Sequence, residues 1–146
     1  LTEVSSFSGS KLFFKEMPMK IVATIARYLL GAIFLFFGSN LFFHFLPNPP
    51  IPPGTLERFT SALAESHYIV AVAFFQVAPA ILLLINRYVP LALALLAPVI
   101  VNIDLTHLLM APRGLPMAAV ITLLWILVFL RVRPAFAGLF QAHPQH

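Results

Sequence analysis

Residues 21–43 read IVATIARYLLGAIFLFFGSNLFF, and this stretch decides the fold. It carries one charge, Arg27, and no proline. At about 1.5 Å of rise per residue, a helix of this length covers the roughly 30 Å of bilayer hydrocarbon. Lys20 stands before it, and Pro47, Pro49, Pro50, Pro52 and Pro53 follow it; they cannot continue a helix and favour extended geometry. Three more apolar runs complete the pattern. They cover about residues 68–85, closed by Asn86 and Arg87, about 89–110, and about 115–130, stopped by Arg131 and Arg133. The second and third runs are so close that the chain must return antiparallel. The expectation is an all-α polytopic membrane protein: an antiparallel bundle of four transmembrane helices joined by short connections. Open sheet edges are not tolerated in lipid, so strands are not expected.

Composition agrees with that reading. The chain has 146 residues, 60% hydrophobic and 10% charged, with a mean hydropathy of +0.95. Soluble domains are about 45–50% apolar and about 25% charged, and a small fold keeps too much surface to hide this excess. A soluble enzyme, a disordered chain and a nucleic-acid-binding domain are excluded. There is no cysteine, hence no disulfide frame, no CxxC pair, no iron–sulfur ligand set and no covalent c-type haem.

The nine basic residues are sorted by side. Lys11, Lys15, Lys20, Arg27, Arg87, Arg131 and Arg133 fall on one side of the expected bundle, against Arg58 and Arg113 on the other. Lys and Arg concentrate in cytoplasmic loops, so both termini are expected in the cytoplasm. Arg27 lies shallow enough to snorkel back to the headgroups. Residues 1–19 read as a flexible, Ser-rich cytoplasmic tail, 20–134 as the transmembrane domain and 135–146 as a cytoplasmic C-terminal tail. Met17 and Met19 directly precede the span and are candidates for the natural start. A cleaved signal peptide is disfavoured because the apolar run exceeds the usual 7–15 residues.

In the first outer loop Gly54 and Thr55 can cap a short helix to about Ser66, whose Leu56, Phe59 and Leu63 share a face. It reads as an interfacial helix on the outer surface, with a hairpin dipping between the spans as the alternative. Gly31 and Gly38, on one face of the first span, allow close approach to Ala71, Ala78 and Ala80 of the second. Pro79 and Pro98 are expected to kink their helices, and Trp125 to pack inside the bundle.

Six polar residues fall in the outer halves of the spans: Asn40, His44, Gln76, Asn102, Asp104 and His107. Asp104 is the costly one, at roughly 2.5–3.5 kcal/mol on insertion scales, and such residues face the interior and have partners. His107, three residues on, shares its face; Asn102 points roughly opposite. Asp104 with His107 reads as a proton relay, a quinone-headgroup contact, an ion pair or a clamp that fixes helix register. Gln76 reads as a helix–helix hydrogen-bonding group, and His44 as polarity at a helix end. A haem held by His44 and His107 is disfavoured, and no metal site is expected.

Several runs together resemble the DoxX family of small four-helix membrane proteins. They are RYLLGAIF (27–34), GSNLFFHF (38–45), NRYVPLAL (86–93), APVIVNI (97–103), and His107 followed by APRGLP (111–116). The match covers about residues 20–140, and the order and spacing of the runs carry it. The resemblance implies a four-span fold in a bacterial plasma membrane and an association with quinone-dependent or stress-related redox complexes. It assigns no catalytic residue. Relatives commonly carry Glu and a glycine pair where this chain has Gln76, Val77, Ala78, Pro79 and Ala80, and an apolar residue where Asp104 stands. An acid relocated from the second span to the third is one reading of these departures. The leading expectation is an accessory or quinone-interacting subunit of a membrane redox complex, with the lipid bilayer and other redox subunits as partners and quinone as the only cofactor implied. A small-solute or proton-coupled transporter, with self-association to enlarge a thin scaffold, and a purely structural membrane protein are the alternatives.

Overall fold

The computed structural model describes residues 3–142, with side chains for 18–139, 141 and 142. Among the described residues there is no strand. Five α-helices run in order: α1 (Glu3–Phe43), α2 (Thr55–Glu65), α3 (Tyr68–Leu84), α4 (Val89–Leu109) and α5 (Leu115–Val132). Short 3-10 segments at Pro112–Gly114 and Arg133–Phe140 flank α5. The segments Pro18–Phe43, Val89–Leu109 and Pro112–Leu139 are long and apolar enough to cross a membrane. The pair α2 and α3, bent by 87° at the break between them, makes a fourth if counted as one span.

The four long helices pack in a ring: α1 against α3 and α5, and α4 against α3 and α5. Inside it, Leu30 and Phe34 of α1, Leu83 of α3, Leu93 and Leu96 of α4 and Val128 of α5 are fully buried. The outward faces are just as apolar, with Ile25, Phe36, Phe74, Ile81, Leu105, Leu108 and Leu123 exposed. Helices apolar on every side need an apolar solvent around them.

The α1–α3 contact depends on glycine. A Cβ at Gly31 would stand 2.9 Å from Leu84 Cγ and 3.2 Å from the Ala80 carbonyl, and one at Gly38 would stand 2.9 Å from Val77 Cγ2 and 3.0 Å from Gln76 Cβ. Small residues that let backbones approach are the main adhesive where lipid tails remove any hydrophobic drive between helices. On the other side of the ring, Trp125 of α5 donates its indole N–H to the Leu93 carbonyl of α4 at 3.0 Å and stacks on Phe129. Both α3 and α4 continue through their prolines, Pro79 and Pro98.

Two expectations, for the N-terminal segment and for Arg27, are corrected. The segment read as a loose tail is helical from Glu3: once the apolar span has nucleated the helix, extending it backwards costs little. Residues 1–2 and 143–146 lie outside the described residues. The C-terminal segment is docked, since Phe136 is buried against Phe129 with ring centroids 5.1 Å apart. Arg27 does not snorkel outward; it is only 8% exposed and donates to the Leu83 carbonyl. The last carbonyls of α3 form a partly negative helix end that lacks intrahelical donors, so a guanidinium finds a partner there without a carboxylate. Of the expected Gly54–Thr55 pair, Gly54 is the N-cap of α2, with no side-chain hydrogen bond, and Thr55 is its first residue.

No residue of α2 is buried. His67, in the left-handed region at φ 59°, ends α2 and turns the chain into α3.

Candidate functional site

A cavity of about 450 Å³ lies between α3 and α4, and α2 covers one end of it. Ligand sites are clefts of about 300–1,000 Å³, mostly apolar, with a few convergent polar groups. This cavity has that character. Val72 and Phe75 of α3 and Leu95 and Val99 of α4 form apolar walls, and Phe59 and Leu63 of α2 close the end. The polar residues that line it are Tyr68, Gln76, Asn102, Thr106 and His107.

Gln76 is the innermost of these. It is 9% exposed, and its Cβ packs against α1 at Gly38. The absence of a side chain at Gly38 is what lets α3 seat this residue so deep. Among the described residues no protein group hydrogen-bonds its amide, yet no buried side-chain N or O atom is sealed off without a partner. The amide therefore opens on the cavity. An amide presents two N–H donors and one carbonyl acceptor, and leaving them unpaired in an apolar setting costs about 1–3 kcal/mol.

The polar groups of α4 are satisfied differently. Asn102 Nδ2 donates to the Pro98 carbonyl at 2.8 Å, Thr106 Oγ1 donates to the Asn102 carbonyl at 2.7 Å, and His107 Nδ1 lies 2.8 Å from the Ile103 carbonyl. Each returns to the preceding turn of its own helix, a mode that suits a polar side chain on an apolar surface. The His107 ring is received by Gly114: a Cβ there would stand 1.8 Å from His107 Cδ2.

Asp104 is elsewhere. Its Oδ2 accepts the Thr122 hydroxyl of α5 at 2.8 Å, and it does not line the cavity. No ion pair joins it to His107, whose ring packs on Gly114, although the two are three residues apart on one helix. The geometry of Asp104 is that of a clamp between α4 and α5. Asp104→Asn is expected to leave stability within about 0.5 kcal/mol, because the amide oxygen still accepts from Thr122, whereas Thr122→Val should cost about 1 kcal/mol. Denaturation monitored by helical ellipticity in mixed micelles measures both.

Asn40 and His44 are also apart from the cavity. Asn40 Oδ1 accepts the Leu46 N–H at 2.8 Å, and exposed His44 takes the left-handed conformation, φ 49°, that ends α1. They form a helix terminus, a place where Asn and His tolerate positive φ. Of the six sequence candidates, the structure brings Gln76, Asn102 and His107 together and leaves Asn40, His44 and Asp104 in structural positions. Phe59 and Leu63 were readable as one face of α2, but only the 87° bend shows that this face covers a cavity. Among the described residues, no three His, Cys, Asp or Glu side chains group closely enough to hold a metal ion.

Comparison of the chain with family models, curated proteins and solved structures finds no significant match.

Proposed function

We propose that this chain is a DoxX-like integral membrane protein whose α2–α3–α4 cavity receives the headgroup of a quinone, in the role of an accessory or quinone-interacting subunit of a membrane redox complex. The proposal includes four antiparallel spans with both termini cytoplasmic, α2 lying along the outer surface, and residence in a bacterial plasma membrane. The observation that carries the reading is Gln76: a nine-tenths buried residue on an apolar cavity whose amide has no protein partner among the described residues. A quinone has an apolar ring and tail with carbonyl acceptors, which matches one deep amide donor in apolar walls. At the side, the second Nδ2–H of Asn102, whose first is donated to the Pro98 carbonyl, is the further donor for a second carbonyl. The cavity's exposed wall residues, among them Phe75 and Pro98, leave it open sideways, where a prenyl tail would lie in the bilayer.

The α2–α3 bend of 87° supports a surface position for α2, since a helix at right angles to a spanning neighbour lies along the membrane plane. The clamp reading is the better one for Asp104, and it removes the acid on which proton-coupled transport would depend.

The test is titration of the purified protein with a short-chain benzoquinone and with a tail analogue lacking the ring carbonyls. Gln76→Leu preserves side-chain size and is expected to weaken quinone binding about tenfold, one lost buried hydrogen bond, while leaving the tail analogue unaffected. Equal quinone affinity in the variant and the parent would sink the proposal.

A further inference from the structure

A second cavity, of about 300 Å³, lies at the other end of α3, between α1, the α3–α4 connection and the last turns of α5. Lys20, Arg27 and Arg131 line it, with Thr24 and Asn86 beside them, and among the described residues no carboxylate does. The carboxylates whose side chains are described lie elsewhere: Glu57 and Glu65 belong to α2, and Asp104 is held by Thr122.

Arg27 makes this more than a patch of surface charge. It is nine-tenths buried. Its Nη1 is the one atom of the side chain seen to bond a protein acceptor, the Leu83 carbonyl. A guanidinium carries five donors in a rigid fork matched to carboxylate and phosphate oxygens. The guanidinium also lies over the Tyr28 ring, 4.3 Å from its centroid; among the described residues no donor is sealed off unpaired, and the remaining N–H groups reach the cavity that Arg27 lines. A buried cation with free donors, beside two further cations, is a site short of an anion.

We propose that this cavity binds a phosphate-type anion, presented by the headgroup of an anionic phospholipid. Arg27 would meet the phosphate from below, while Lys20 and Arg131, both exposed, would meet it from the rim. Val89 and Val128, both buried, form an apolar wall behind the cations, and the acyl chains would lie outside the bundle in the bilayer. Basic pockets between transmembrane helices on the cytoplasmic side are suited to such headgroups, and the count of positive charges assigns this end to that side. The proposal is independent of the quinone reading, since the two cavities share no residue.

The test uses the full chain in a neutral detergent, with native mass spectrometry and thermal melting as readouts. The probes are a phosphatidylglycerol, a phosphatidylcholine with the same chains, and inorganic phosphate. Phosphatidylglycerol is expected to bind at least about tenfold more tightly than phosphatidylcholine. The double variant Lys20→Gln/Arg131→Gln, which spares Arg27 and its bond to α3, should weaken phosphatidylglycerol about tenfold or more, the scale of one charge-assisted contact. Arg58→Gln/Arg113→Gln, with the same change of charge at the other end, should not. Inorganic phosphate that displaces the lipid, with its own binding lost in the first double variant, supports the anion site and identifies a free ion as its occupant. Equal binding of the two lipids, or phosphatidylglycerol binding unaltered in the first double variant, would overturn the proposal.

Discussion

Gly38→Leu is expected to separate α1 from α3 and abolish the folded state in mild detergent. A Cβ at this position already stands 2.9 Å from Val77 Cγ2 and 3.0 Å from Gln76 Cβ, closer than real contacts allow. Val77 is branched at Cβ and cannot step aside without leaving its rotamer, and the Gln76 Cβ is fixed by the α3 backbone. Overpacking of this kind costs typically 1–3 kcal/mol for an added methylene or two, and leucine adds a whole branched side chain. In lipid no hydrophobic gain offsets the separation of the helices. A loss of about 3 kcal/mol or more is expected, with Gly38→Ala at about 1 kcal/mol because its single methyl meets the same atoms. Unfolding curves by ellipticity in mixed micelles give both values. If the leucine variant is as stable as the parent, the glycine seam is not what holds α1.

Trp125→Ala should cost about 3 kcal/mol, within the range for truncating a large aromatic in a packed core. Three contributions add. The indole N–H bond to the Leu93 carbonyl at 3.0 Å is lost. So is the stack on Phe129, whose centroid lies 5.1 Å away at an interplanar angle of 8°. The void then lies between α4 and α5, where Phe129 in turn supports Phe136. Trp125→Phe keeps the ring and loses the donor, so it should cost only about 1 kcal/mol. A difference of less than about 1 kcal/mol between the two variants would show that the ring itself contributes little.

The helical segments were readable from the residues because uninterrupted apolar runs bounded by Arg, Asn and Pro leave one physical option in lipid. The rotation of each helix about its axis was not. Segments such as α3 and α4 are apolar on all sides, so no amphipathic direction says which side chains meet. Spacing placed Asn102 opposite Asp104, and the structure has them on different faces of α4. It also grouped Asp104 with His107, yet Thr122 of α5 claims the acid and the histidine turns to Gly114. Insertion cost singled out Asp104 because that cost measures how badly a group needs a partner. It cannot tell a group whose need is met, as Asp104's is, from one whose need is open, as Gln76's is. Arg27 shows the same limit: the residue counted as a topology signal, while its burial against the end of α3 depends on where that end lies in space. The 87° turn at His67 agrees with a surface helix leading into a span, but that one left-handed residue makes it was not legible from a lone histidine.

The central claim is that the cavity under α2, with Gln76 at its base, holds a quinone headgroup. Photolabelling with an azido-benzoquinone, followed by peptide mapping, tests it most directly. The account predicts label on α3 and α4 around Gln76, Val99 and Ile103, reduced by excess unlabelled quinone and strongly reduced in Gln76→Leu. Label spread evenly over the lipid-facing residues of α1 and α5, unaffected by competitor and unchanged in that variant, would contradict it.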